Sequence, residues 1–146
     1  MFSLKVVEKP SFWYQQNTLD DISRVISKNI LEQQKWTLNI VFVEPDSIQN
    51  LNKTYRNIDS VTDVLSFHYH ENFSDLEEND IAGELVFCEE KIISQWKEYG
   101  LWSEKEFYKL LIHSVLHILG FDHEDDTEYE EMKKWEELVW KEVFSI

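Results

Sequence analysis

Cysteine is nearly absent: Cys88 is the only one in 146 residues. No intrachain disulfide can form, which suits a reducing compartment. Proline and glycine are also scarce, with two and three, and no repeat, linker or low-complexity segment interrupts the chain apart from one acidic loop. No apolar run reaches membrane length, and Met1 to Val7 carries no long apolar stretch and no cleavage pattern. A soluble, cytoplasmic protein is expected. Positive charge is the other shortage. Fourteen Lys and Arg face 29 Asp and Glu, for a net charge of −15, and only Arg24 and Arg56 are arginines. Broad non-specific binding to nucleic acid rests on cations neutralising phosphates, so this balance argues against it. A local basic site stays compatible with it.

Hydrophobic residues make up 42% of the chain and aromatics 14%, enough for one ordinarily packed domain that buries roughly 70% of its unfolded surface. Ser3 to Val7 reads as a first strand. Leu19, Ile22, Val25, Ile26 and Ile30 fall at helical spacing in a helix from Thr18, a plausible N-cap, to about Gln33. Leu38 to Val43 is a second strand, with Leu38, Ile40 and Phe42 on one face and Val41 and Val43 on the other. Pro45 and Asp46 open a short helix anchored by Ile48 and Leu51, with Asp46 and Gln49 in capping-box spacing.

Val64 to Tyr69 is a third strand, Glu71 to Asp80 the acidic loop, and Ile81 to Cys88 a fourth strand that Gly83 helps to open. A helix follows from Glu89 to Tyr99, closed at Gly100. Ser103 and Glu106 then frame a capping box for a helix running to Leu119. Thr127 and Glu130 frame another, and the last helix has Met132, Trp135, Val139 and Val143 as its inner stripe. The expected fold is α+β: a small four-stranded mixed sheet with about five helices in a single domain.

Residues 113 to 123, His-Ser-Val-Leu-His-Ile-Leu-Gly-Phe-Asp-His, carry the strongest chemical signal. His113 and His117 project from one helix face, one turn apart. Gly120 permits the positive φ that ends a helix, and the turned chain can bring His123 back toward them. Three imidazoles with no fourth ligand nearby make an open site of the kind found in catalytic zinc. The flanking Leu110, Leu111, Ile112, Val115, Leu116, Ile118 and Leu119 suggest a buried helix, where unpaired imidazoles would be costly. One Zn²⁺ per chain, held by His113, His117 and His123, is therefore expected. The spacing is metzincin-like, but Ser114 stands where zinc peptidases place their general-base Glu. Peptide hydrolysis is disfavoured.

A second block contains Asn52-Lys-Thr-Tyr-Arg56 and Thr62-Asp-Val-Leu-Ser-Phe67. By itself Arg56 is a surface arginine and Thr62-Asp63 is turn chemistry. Together with Gly83-Glu-Leu-Val-Phe and residues 113 to 123, in this order, it resembles the YbeY family, the single-strand-specific endoribonucleases of bacterial ribosomal RNA maturation. The resemblance is recognisable from about Leu51 to His123, and chain length and element order fit the whole family domain. It implies that His113, His117 and His123 hold zinc and that Arg56 is the basic catalytic residue of the cleft. It implies too that Thr62 to Phe67 forms an antiparallel edge strand beside the strand from Gly83. Two departures stand out: His68 replaces the family's usual Pro, and Glu84-Leu85 replaces its usual Asp-Ile. His68 and His70, alternating on a strand, read as solvent-facing side chains, Cys88 as a small core residue, and Asp122 and Glu124 as exposed loop acids.

The resemblance implies a zinc-dependent, single-strand-specific endoribonuclease acting in 16S rRNA 3′-end maturation and ribosome quality control. Its partners would be single-stranded or ribosomal RNA and the ribosome or a ribosomal protein, with no membrane. The alternatives are a metal-stabilised ribosome-assembly factor and a zinc hydrolase acting on another substrate.

Overall fold

The structure, a computed structural model, describes residues 2–29, 35–70, 73–98, 104–121 and 125–144. The elements run β1 (Ser3–Glu8), α1 (Gln16–Asn29), β2 (Thr37–Val43), α2 (Pro45–Arg56), β3 (Val64–His68), a single 3₁₀ turn at Phe73–Asp75, β4 (Ile81–Cys88), α3 (Glu89–Glu98), α4 (Glu104–Ile118) and α5 (Asp126–Phe144). The α+β expectation holds, with a four-stranded sheet in the order β1-β2-β4-β3. β1 and β4 both pair with β2 in parallel, and β3 pairs with β4 antiparallel, placing Val64 opposite Phe87 and His68 opposite Gly83.

Several element starts differ from the sequence reading. α1 begins two residues before Thr18, and the amides of Thr18 and Leu19 donate to the Gln15 carbonyl. Asp46 does not cap α2. Glu44 holds the N-cap position and Pro45 sits in the first turn, where its missing N–H has no helical partner to lose. In α5 the Asp125 carboxylate accepts the Glu128 amide at 2.8 Å, so Asp125 is the cap and Thr127 lies inside the helix. The expected helix ends at Gln33 and Tyr99, with Gly100 and Ser103, lie outside the described residues.

Gly83 does not open its strand but lies inside β4. A Cβ there would stand 2.3 Å from the Phe67 carbonyl oxygen and 3.0 Å from the Ile118 side chain. Only glycine lets the β3 backbone and α4 approach this closely.

The sheet's two faces are covered unequally. On one, Leu38, Ile40, Leu85 and Phe87 pack under α1, α3, α4 and α5 around fully buried Phe107. The Phe107 ring meets Phe12 and Phe42 at 5.4 Å, Phe87 at 5.5 Å and Tyr108 at 5.7 Å between centroids. On the other face, among the described residues, Leu65, Val86 and Cys88 form a small cluster with Ile48 of α2, against which half-buried Val43, Leu51, Val61 and Phe67 pack. Cys88 is a buried core thiol, as expected, and its burial pushes its pKa up.

Candidate active site

α4 carries His113 and His117, two of the three motif imidazoles. Its inner face, including Phe107, Leu111, Val115, Leu116 and Ile118, is buried. His113 is half-buried and His117 exposed, so the helix is not buried all round. The two histidines mark its open stripe rather than unpaired groups in a core. Gly120 adopts φ +106°, its amide donates to the His117 carbonyl and the Phe121 amide to that of Leu116. The chain thus leaves α4 through a left-handed turn, as its sequence foretold. His123, Asp122 and Glu124 lie outside the described residues. Among the described residues no three His, Cys, Asp or Glu side chains converge.

His113 Nδ1 lies 2.5 Å from Glu136 Oε1, across the groove where α5 packs on α4. This contact has no counterpart in the sequence reading. The hydrogen bond to Glu136 holds the His113 pKa above its ordinary value; burial opposes it, and the charges of Glu136 and then Asp63 add to it. Asp63, read from sequence as turn chemistry, therefore lies within electrostatic reach of the imidazole. Its carbonyl accepts the Cys88 amide at 2.9 Å, which fixes the entry to β3 against β4.

β3 packs against α4. His68 at its end is exposed, as expected, and its ring also stacks on Phe73 at 5.8 Å. Burial lowers its pKa, and the neighbouring His117 lowers it further. His70 is exposed. Glu84, on β4, accepts a hydrogen bond from the Tyr69 hydroxyl at 3.0 Å. Ser114, in the position of a peptidase base, is buried and donates its hydroxyl to the Leu110 carbonyl at 2.8 Å. It is not placed to act as a base.

Arg56 occupies the last turn of α2, exposed, and takes part in none of the ion pairs among the described residues. Asn57 ends the helix in the left-handed region, with its amide turned back to Lys53. Buried Asn52 donates its side-chain amide to the Ser60 carbonyl at 3.0 Å, and Gln49 donates to Asp59 at 3.0 Å. The stretch after Arg56 is thus tied to α2 before it reaches Asp63 and the α4 site.

A family model described as endoribonuclease YbeY matches residues 8–143. The chain belongs to the YbeY family. An endoribonuclease YbeY from Alkaliphilus metalliredigens is 40% identical over 74% of this chain and 71% of its own length. One from Caldicellulosiruptor saccharolyticus is 36% identical over 82% and 85%, and one from Staphylococcus carnosus 35% over 90% and 87%. A solution structure from Thermotoga maritima superposes with a TM-score of 0.60 at 29% identity, covering 97% of this chain and 91% of its own. The resemblance of the motifs thus extends over nearly the whole YbeY domain. No described helix is long and apolar enough to cross a membrane.

Proposed function

We propose that this chain is a zinc-dependent endoribonuclease that cuts single-stranded RNA in the cytoplasm, with ribosomal RNA as its substrate in 16S 3′-end maturation and ribosome quality control. The observation that carries the metal reading is the state of His113. Its Nδ1 faces a carboxylate, which leaves Nε2 as the donor, one helical turn from His117 on the same open stripe. That donor set suits zinc, with His123 as the third ligand. When bound there, the metal supplies Lewis acidity toward a phosphoryl oxygen and acidifies a water.

The remaining chemistry falls to the protein. Arg56, in no ion pair among the described residues, is suited to grip two phosphate oxygens with its planar fork and to offset charge that builds on them. The water oxygen forms a bond to phosphorus as the bond to the leaving ribose oxygen breaks, and the proton that the water gives up ends on that ribose oxygen. Ser114 is buried, with its hydroxyl turned back to the Leu110 carbonyl, and is not placed to act as the base.

The net charge of −15 favours recruitment by the ribosome or a ribosomal protein over strong intrinsic RNA affinity. It is also the feature that favours the second reading, an assembly factor that binds without cutting. Cleavage of a defined single-stranded RNA, before and after chelation and after zinc is restored, separates the two. Chelation should abolish cleavage and zinc should restore it. Full activity in chelated, metal-free protein would sink the zinc mechanism, and absence of cleavage in zinc-loaded protein would favour the assembly factor. A single 2′-deoxy substitution at the cut should be tolerated, with no 2′,3′-cyclic phosphate on the all-RNA product, because water is the nucleophile. Loss of cleavage on that substitution, with cyclic ends on the all-RNA product, would instead assign the attack to the substrate's own 2′-hydroxyl.

A further inference from the structure

We infer that Glu136 is the positioning residue of the metal site: it fixes the tautomer and ring orientation of His113 so that Nε2 faces the ion. The inference rests on the zinc reading above and goes beyond it, because it assigns a role to a residue of α5 far from the histidine motif.

A neutral imidazole has one N–H and two faces it can present by rotation about its terminal torsion. Two histidines at i and i+4 bind one ion only if both turn suitable nitrogens to the same point. An unconstrained ring populates both tautomers and both flips, and ordering it costs part of the binding energy. At His113 the choice is made by the protein. Nδ1 lies 2.5 Å from Glu136 Oε1, so Nδ1 carries the proton and donates it, while Nε2 keeps its lone pair. The negative charge behind the ring also makes Nε2 a stronger donor.

The setting supports this role over a general surface ion pair. His113 and Glu136 side chains are 39% and 31% exposed, so the contact is partly shielded from water. Glu136 lines the groove between α4 and α5 with Lys109, Ile112, Glu137 and Trp140. Lys109 does not compete for Glu136 here: its ammonium pairs with Glu106 at 3.4 Å and lies 5.3 Å from the Trp140 ring centroid.

The test uses the full chain with Glu136→Ala and Glu136→Gln, and two readouts. The first is the nitrogen NMR signature of His113 in metal-free protein at a pH where the ring is neutral. The second is zinc affinity by chelator competition, with circular dichroism as a check on folding. The wild type should show the Nδ1–H form. Glu136→Ala should shift His113 toward Nε2–H and weaken zinc about 10–100-fold. Glu136→Gln keeps an acceptor without the charge, so it should retain the Nδ1–H form and lose about tenfold or less. A folded Glu136→Ala protein with unchanged tautomer and unchanged zinc affinity overturns the assignment. Should Glu136→Ala fail to fold, a Glu136→Gln protein in which His113 favours Nε2–H does the same. A wild type that takes up no zinc overturns the metal reading together with this one, whereas zinc held equally by wild type and Glu136→Ala removes only the role of Glu136.

Discussion

The two faces of the β3–β4 pair are built to different strengths. On one side a ring-packed core centred on Phe107 supports α4 and its histidines. On the other, four buried residues, Ile48, Leu65, Val86 and Cys88, hold α2 and with it Arg56. Aromatic pairs add about 0.5–1.5 kcal/mol each beyond the area they bury, so the histidine side gains from its several ring contacts, while the arginine side has the Tyr55–Phe67 pair, 5.2 Å between centroids, beside its aliphatic contacts. The difference teaches that one half of the site is as firm as the whole domain. The other half can shift locally at less cost.

The largest expected effect tests the firm side. Phe107→Ala should cost about 3–5 kcal/mol and lower the melting temperature of the whole domain, histidines included. A small loss confined to α4 would show that the aromatic core does not hold the domain together. Next comes Arg56→Ala. Removing one preorganised donor costs about 3 kcal/mol of barrier, or on the order of a hundredfold in cleavage, while the melting temperature should stay put because Arg56 joins no ion pair among the described residues. A folded variant cutting at the normal rate would falsify its catalytic role.

Ile48→Val is smaller, about 0.5–1.5 kcal/mol. Amide exchange should quicken mainly in α2 and the stretch it holds, with α4 hardly changed; equal acceleration in α4 would erase the contrast between the faces. The smallest effect is a pH slope. The folded pKa of His113 is raised, chiefly by Glu136. In metal-free protein its contribution to stability is therefore full below the unfolded imidazole value of about 6.5 and fades as pH rises through the folded value. Denaturant midpoints across that window should show the decline in wild type and a flatter profile in Glu136→Gln.

The histidine half was legible where side-chain placement follows chain spacing. His113 and His117 one turn apart and the positive φ of Gly120 needed only helix geometry, and β4 was read with its observed limits. What escaped came from contacts between distant elements. Glu136 sits beside Trp135 in a helix rich in glutamates, and nothing local separates it from Glu130, Glu131 or Glu137. A search for carboxylates that helix pairing could bring to His113 was the available signal. Asp63 was hidden by its fit to an ordinary turn. The apolar residues around His113 suggested a buried helix because composition was read without phase; the open stripe is narrow, and the histidines lie on it. Gly83 was noticed for the wrong reason, since the approach of the Phe67 carbonyl has no trace in the sequence near it.

The 2.5 Å contact between His113 and Glu136 also imposes an order on biosynthesis. The carboxylate is made 23 residues after the imidazole, and at about 5–20 residues per second that delay is on the order of one to five seconds. Through that interval α4 can be helical, yet the His113 ring has no acceptor to choose its tautomer. The chain therefore completes the histidine's surroundings late, when α5 docks, and a nascent protein stalled before that point would carry the imidazoles without the group that aims one of them.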